Sequence, residues 1–394
     1  MLIEIILFLL IGIFLGAIAG LLPGIHINLV GVIIVSLSVS LFSSINPIYL
    51  IVLIVAMAIS QTFLDFIPSI LLGCPETDTQ LSVLPGHELL KQGKGYEAIL
   101  LTTYGCLAAI FVLIIIAYPS ILLVSKTYNL IQGAIPYILI AVSLMIIILE
   151  KSKIKSLIVF LLTGFLGYVV LNLNVEQSLL PLLTGLFGTS GLLISIKNKI
   201  SIPHQQIKKP EPEFKKPLIG AVIASLICGF LPGLGGGQAA VIANTISRTG
   251  RKGFLVLLGA TNTLVMGFSF ISLYVISKTR TGAAVAINEI IGIPNTPKLI
   301  LILIVILISG IISFSLTIHL AKIFSQKITK IKYSLLSIII IIFVTIIVII
   351  VSGLIGLLIL VISTFTGIYC IQQGTRRTDM MGCLLLPTII LYLA

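Results

Sequence analysis

Charge is what this sequence has least of. Asp, Glu, Lys and Arg together make up 9% of it, against roughly 25% in a soluble globular domain. With 58% hydrophobic residues the chain has no way to cover its apolar surface in water, which excludes a soluble fold. Catalytic signatures are missing as well: there is no HExxH, GxSxG or paired-aspartate motif. Of the four histidines, His87 and His204 read as loop residues, His319 stands alone near a helix end, and His26 has no carboxylate close in sequence. An intramembrane enzyme needs converging catalytic groups, so these gaps count against one. The cysteines Cys74, Cys106, Cys228, Cys370 and Cys383 show no CxxC or Cys/His spacing and read as small packing residues, without metal or disulfide function. No cofactor is expected beyond a coupling sodium ion or proton.

What the sequence does have is long apolar runs, at 2–22, 25–45, 48–72, 98–123, 135–149, 157–172, 179–196, 217–231, 238–247, 254–277, 299–320, 334–352, 354–371 and 380–393. Spans of about 20 residues suit a hydrocarbon core about 30 Å thick, so the expectation is an all-α polytopic protein of the cell membrane. The first run lacks a basic leader and a small-residue cleavage site, and reads as a retained segment. The formal charge of +12 lies in short basic clusters between runs, the pattern of cytoplasmic loops facing anionic membrane lipid. No domain is left over to bind nucleic acid.

Those clusters orient the chain. They are Lys91/Lys94, Lys151/Lys153/Lys155, Lys197 to Lys216, Arg248/Arg251/Lys252, Lys322 to Lys332 and Arg376/Arg377. All fall on one side if the first two runs form an out-and-back hairpin joined at Pro23-Gly24, and runs 217–231 and 238–247 form another joined at Pro232-Gly233. Each half is then a proline-glycine-broken hairpin followed by about five crossings. The first half, 1–197, begins outside; the second, 217–394, begins inside; the basic, proline-rich linker 198–216 is cytoplasmic, and both termini are extracytoplasmic. The halves are thus inverted repeats, a recurring architecture of secondary transporters. Sequence matches fall where this topology requires them: Ala19-Gly-Leu-Leu-Pro-Gly-Ile25 with Cys228-Gly-Phe-Leu-Pro-Gly-Leu234, and Gln61-Thr-Phe-Leu with Asn262-Thr-Leu-Val.

Gly20, Pro23, Gly24, His26 and Asn28 mark the first tip; Gly229, Pro232, Gly233, Gly235, Gly236, Gly237 and Gln238 mark the second. Proline removes an amide donor and glycine lets the backbone turn. At membrane depth such backbone is tolerated only inside protein or beside a polar cavity, where half-helix ends would present N–H groups to an anion. The plainer reading is a pair of ordinary turns; their repetition at matching places argues against it.

Polar residues lie within the run that follows each hairpin: Gln61, Thr62 and Asp65 in the first half, Thr261, Asn262 and Thr263 in the second. Asp65, the only acidic residue centrally placed in an apolar run, reads as a site for a coupling proton or sodium ion, as a paired structural carboxylate, or as a loop residue if Pro68 ends the helix. Lys278 and Arg280 fall outside by this topology, against the positive-inside pattern. They read either as attracting an anion or as two solvated loop charges.

The two hairpin motifs, with the stretch from Pro75 to Ala98 that begins Pro-Glu-Thr-Asp-Thr-Gln, resemble the large membrane subunit of the tripartite tricarboxylate transporters. That resemblance implies cation-driven uptake of carboxylate anions together with a small membrane subunit and an extracytoplasmic binding protein. It implies substrate contacts at Pro23, Gly24, Asn28, Glu76, Thr77, Pro232, Gly233, Gly235 and Asn262. The chain departs from the family pattern at His26, where a glycine is usual, and at Ile276-Ser-Lys-Thr-Arg-Thr281.

The leading expectation is a permease for small organic anions, di- or tricarboxylates, working by alternating access around the two hairpin tips. The alternatives are a transporter of a lipid-linked anion such as polyprenyl phosphate and, from another class, an intramembrane enzyme.

Overall fold

The computed structural model describes residues 2–22, 45–73, 79–148, 150–173, 175, 177–197, 203–230, 235–328, 333–375 and 377–393. Among these the chain is helical without a strand, because lipid offers no partner for backbone N–H and C=O and a helix satisfies them within itself. Seven of the described helices are long and apolar enough to cross a membrane, and the protein is a polytopic membrane protein.

In chain order the helices are α1 (Leu2–Leu21), α2 (Pro47–Leu64), α3 (Phe66–Leu72), α4 (Val83–Lys91), α5 (Gly95–Ile148), α6 (Lys153–Leu171), α7 (Leu179–Leu183) and α8 (Ser190–Lys197). They continue as α9 (Lys215–Phe230), α10 (Gly236–Ser247), α11 (Arg251–Ile276), α12 (Gly282–Ile291), α13 (Thr296–Ile328), α14 (Tyr333–Gln372) and α15 (Gly382–Leu393). A π-helical stretch, Thr184–Thr189, joins α7 to α8.

Two expectations change. Runs 98–123 and 135–149 lie on the single helix α5, because the polar residues between them bond back to their own helix: Ser125 Oγ donates to the Leu122 carbonyl and Thr127 Oγ1 to that of Leu123. Runs 334–352 and 354–371 keep their boundary at Gly353, where α14 departs from helical geometry. The polar stretches after α3 and α11 hold short helices, α4 and α12, so His87 lies on a helix rather than in a loop. The order then recurs along the chain. Helices α2 and α3 (Pro47–Leu72), α4, the start of α5, α6 and the Leu179–Lys197 segment are followed in the second half by α11, α12, the start of α13, the part of α14 after Gly353, and α15.

The chain folds as two compact units, each drawing on both halves of the sequence. In the first (1–67, 100–129 and 210–321), α1 packs on α2 through glycines one turn apart. A Cβ on Gly12 would come within 2.5 Å of the Leu53 carbonyl oxygen, and one on Gly16 within 2.3 Å of that of Met57, so the small residues let the backbones touch. Ser60 Oγ donates across this seam to the Ile13 carbonyl.

In the second unit (68–99, 130–209 and 322–394), α6 packs on α15 and α14 on the π-helical stretch by the same device. Gly167 lies against Cys383, Gly185 against Ser363, and Thr189 shares a 2.6 Å hydroxyl contact with Thr364. The linker from Pro203 to Phe214 forms no helix, as its prolines require, yet it is anchored. Gln205 is buried; its Oε1 accepts from Gly95 N–H at 2.7 Å, and its Nε2 donates to the Leu90 and Pro203 carbonyls.

Candidate functional site

The second hairpin is present as two half-helices. At 1.5 Å per residue, α9 (16 residues) and α10 (12 residues) extend about 24 and 18 Å, short of the roughly 30 Å hydrocarbon core. They pack closely, with Gly220 against the Ala243 carbonyl, and both lie on α11. Gly235 caps α10 in an extended conformation, and its N–H donates to Gln238 Oε1 at 3.0 Å. Gly236, Gly237 and Gln238 are buried, so the positive end of α10 lies inside the protein with no side chain beyond glycine at its first two positions.

Arg280 stands at the other side of this hairpin. Its Nη2 donates to the carbonyl of Phe230, the last residue of α9, and to the Tyr128 hydroxyl at 3.3 Å. A guanidinium is well suited to a helix C-terminus, whose final carbonyls lack intrahelical partners. The short connection that brings it there is held by Thr281, which caps α12 by accepting from Ala284 N–H and meets Ser269 Oγ at 2.9 Å. Lys278, by contrast, is exposed. The two loop cations paired by the sequence reading therefore part company.

Beside the hairpin, α2, α5 and α11 cross at van der Waals distance. A Cβ on Gly259 would lie 2.0 Å from the Thr102 carbonyl oxygen, and one on Gly105 2.1 Å from that of Val256. Into this crossing α2 brings Gln61, Thr62 and, at its C-terminus, Asp65, while α11 brings Asn262 and Thr263; all five are buried. Asn262 Nδ2 donates to Asp65 Oδ2 at 3.1 Å and lies 3.4 Å from the Thr62 carbonyl oxygen. The Thr62 and Thr263 hydroxyls meet at 3.2 Å, and Cys106 Sγ donates to the Thr62 and Gly259 carbonyls. Pro68 does break the helix near Asp65, but α3 continues it, so the carboxylate sits within one buried span, Pro47–Leu72.

A family model described as the tripartite tricarboxylate transporter TctA family matches residues 6–382. The chain belongs to the TctA family. A protein of Methanocaldococcus jannaschii, described there as uncharacterized, is 33% identical over 401 residues, covering 98% of this chain and 99% of its own length. No solved structure matches the chain. As a TctA-family member the protein is a component of a membrane transporter.

Of the site residues expected from the sequence, Pro23, Gly24, His26, Asn28, Glu76, Thr77, Pro232 and Gly233 lie outside the described residues. Thr62, Asp65 and Asn262 are gathered at the α2–α11 crossing of this TctA-family chain, with Gln61 buried beside Thr62 on α2; Gly235, Gly236 and Gln238 open α10, and Arg280 closes the end of α9. Two groups were passed over. Cys106, read as packing alone, donates to the site's backbone. Asp379 is fully buried in the short 3-10 turn Arg377–Met381 of the second unit, and its position at the edge of an apolar run gave no signal.

Proposed function

We propose that this TctA-family chain is the permease of a secondary active transporter for small organic anions, di- or tricarboxylates, coupled to a cation gradient through the α2–α11 crossing. The observation that carries this is the proximity in the chain of two unlike polar sites. One, at the hairpin, combines a buried helix N-terminus with a guanidinium; the other, at the crossing, combines a buried carboxylate with an amide and two hydroxyls. The first chemistry suits a carboxylate anion and the second a cation. An ionised carboxylate costs about 3 kcal/mol at the centre of a membrane helix on insertion scales, so its retention inside a span argues for use.

Alternating access around the two hairpin tips follows from the inverted-repeat reading, with repeats 1–197 and 217–394 joined by the linker 198–216. Support for that reading is the recurring order of elements and the meeting of Thr62 with Thr263. Membership of a tripartite family supports partnership with a small membrane subunit and an extracytoplasmic binding protein, and the basic loops support a multi-pass place in the cell membrane with both termini outside.

Uptake of labelled citrate and dicarboxylates into proteoliposomes, with sodium and proton gradients imposed separately, tests the function. Accumulation driven by one of those gradients is expected; movement of a polyprenyl phosphate with no carboxylate uptake would overturn it. The topology has its own test. A cysteine at the exposed Lys208, rather than at the buried Gln205 beside it, should react with impermeant maleimide only in opened cells, and one at Asn46 in intact cells. Labelling of both from one side removes the inversion.

A further inference from the structure

The two halves share a register at the crossing. Gln61-Thr62-Phe63-Leu64 aligns with Asn262-Thr263-Leu264-Val265, and the following helices keep step, Gly95 opening α5 where Thr296 opens α13. Thr62 and Thr263 are therefore equivalent residues, and their hydroxyl contact of 3.2 Å is what two equivalents on an approximate two-fold axis would make. The same register sets Gln61 opposite Asn262 and Asp65 opposite Met266. Geometry is doubled at the crossing, but charge is not, since the buried counterpart of the Asp65 carboxylate is a thioether.

We propose that the crossing binds one monovalent cation of the sodium type on the Asp65 side, and that the Met266 side is an equivalent half-site that has lost its charge. This rests on reading the crossing as the coupling site, and adds the ion class and the number bound. Asn262 Nδ2 carries two hydrogens and lies between Asp65 Oδ2 and the Thr62 carbonyl oxygen, which is the place a small cation would take. Half a turn of the amide offers its oxygen there instead. The groups that the amide bridges then present oxygen, from the carboxylate, the amide and the Thr62 carbonyl, with the paired hydroxyls of Thr62 and Thr263 on the same two helices. Hard cations select oxygen ligands. One carboxylate neutralises one monovalent ion, whereas a divalent ion would leave net charge buried in a membrane protein. A proton needs a single acceptor and would not call for the remaining oxygens.

The test reads binding without transport. For purified protein in detergent, sodium in place of choline is expected to raise the melting temperature, since a ligand of the folded form stabilises it, and radioactive sodium should titrate to one ion per chain. Asp65→Asn should abolish both signals. Met266→Asp in that background should restore one ion, and Met266→Asp alone should give two. Two ions in the wild type, a sodium shift that survives Asp65→Asn, or a folded double variant that binds none would each overturn the proposal. If the double variant does not fold, Thr263→Val decides: weakened sodium affinity is expected, and undiminished affinity overturns it. Sodium binding without carboxylate uptake sinks only the permease assignment, while uptake without sodium binding sinks only this site.

Discussion

The Pro47–Leu72 span and α11 differ from α14 in a way that inverts the rule for soluble proteins. The apolar stretches of the first two are 100% and 94% buried, whereas that of α14, the most apolar of the three, is 22% buried. In lipid the tails are as apolar as leucine, so large aliphatic side chains lose nothing by facing outward, and helices associate through close backbone contact and hydrogen bonds between them. Glycine, serine, threonine and asparagine thus mark where helices meet, while isoleucine and leucine occur both in the buried spans and on the lipid face. Position within the membrane is read from small and polar residues.

Breaking this contrast most severely should be Gly259→Leu. Its Cβ meets the Thr102 carbonyl oxygen at 2.0 Å, and backbone cannot yield as a side chain does. A loss of about 3 kcal/mol or more is expected, seen as loss of the monodisperse peak in size-exclusion chromatography. A normal peak would mean that the crossing is loosely packed.

Next is Asn262→Leu, which keeps the branched outline but removes a donor to the buried Asp65 carboxylate. Membrane expression should persist with a stability cost of about 1–3 kcal/mol, and uptake should fall by far more than that loss of folded protein explains. Proportionate losses would make the crossing structural.

Arg280→Ala and Lys278→Ala then sharpen the difference between a placed cation and a solvated one. Removing Arg280 takes a charged donor from the Phe230 carbonyl. It should lower the melting temperature by the equivalent of about 1.5–3 kcal/mol and raise the apparent KM. Lys278→Ala should leave stability unchanged and alter KM alone, less at high salt than at low. Equal behaviour of the two would restore the view that both are loop charges.

The smallest effect belongs to the lipid face. Leu354 on α14 is 78% exposed, and Leu354→Ala should shift stability by no more than about 0.5 kcal/mol in a thermal melt.

Class and the second hairpin were legible because composition and proline-glycine punctuation are local signals. The grouping of Thr62 and Asp65 near Asn262 was legible for a different reason: Gln61-Thr62-Phe63-Leu64 matches Asn262-Thr263-Leu264-Val265 in sequence, and the matching stretches meet in space. Where neither signal operates the sequence was silent. Lys126 and its neighbours look like a loop because they are polar, yet Ser125 and Thr127 satisfy themselves on their own helix and α5 runs on. Arg280 looks like a surface charge because its acceptor, the Phe230 carbonyl, belongs to backbone 50 residues away. Gln205, in a linker that reads as free, is fixed by three hydrogen bonds that no neighbouring residue announces.

Gly353 separates two kinds of constraint that usually arrive together. It stands at φ 66°, ψ −163° in the kink of α14, a backbone region essentially closed to residues with a Cβ. A Cβ there would nevertheless meet nothing within 4 Å. In evolutionary terms the position has unlimited room and almost no vocabulary. Every single-base change that alters a glycine codon's meaning specifies a residue that fits the space but not the torsion, or ends the chain. A saturation library of α14 should therefore show one intolerant column standing among lipid-facing positions that accept nearly any apolar residue, and a mirror-image alanine introduced by chemical synthesis should be accepted where the natural one is not.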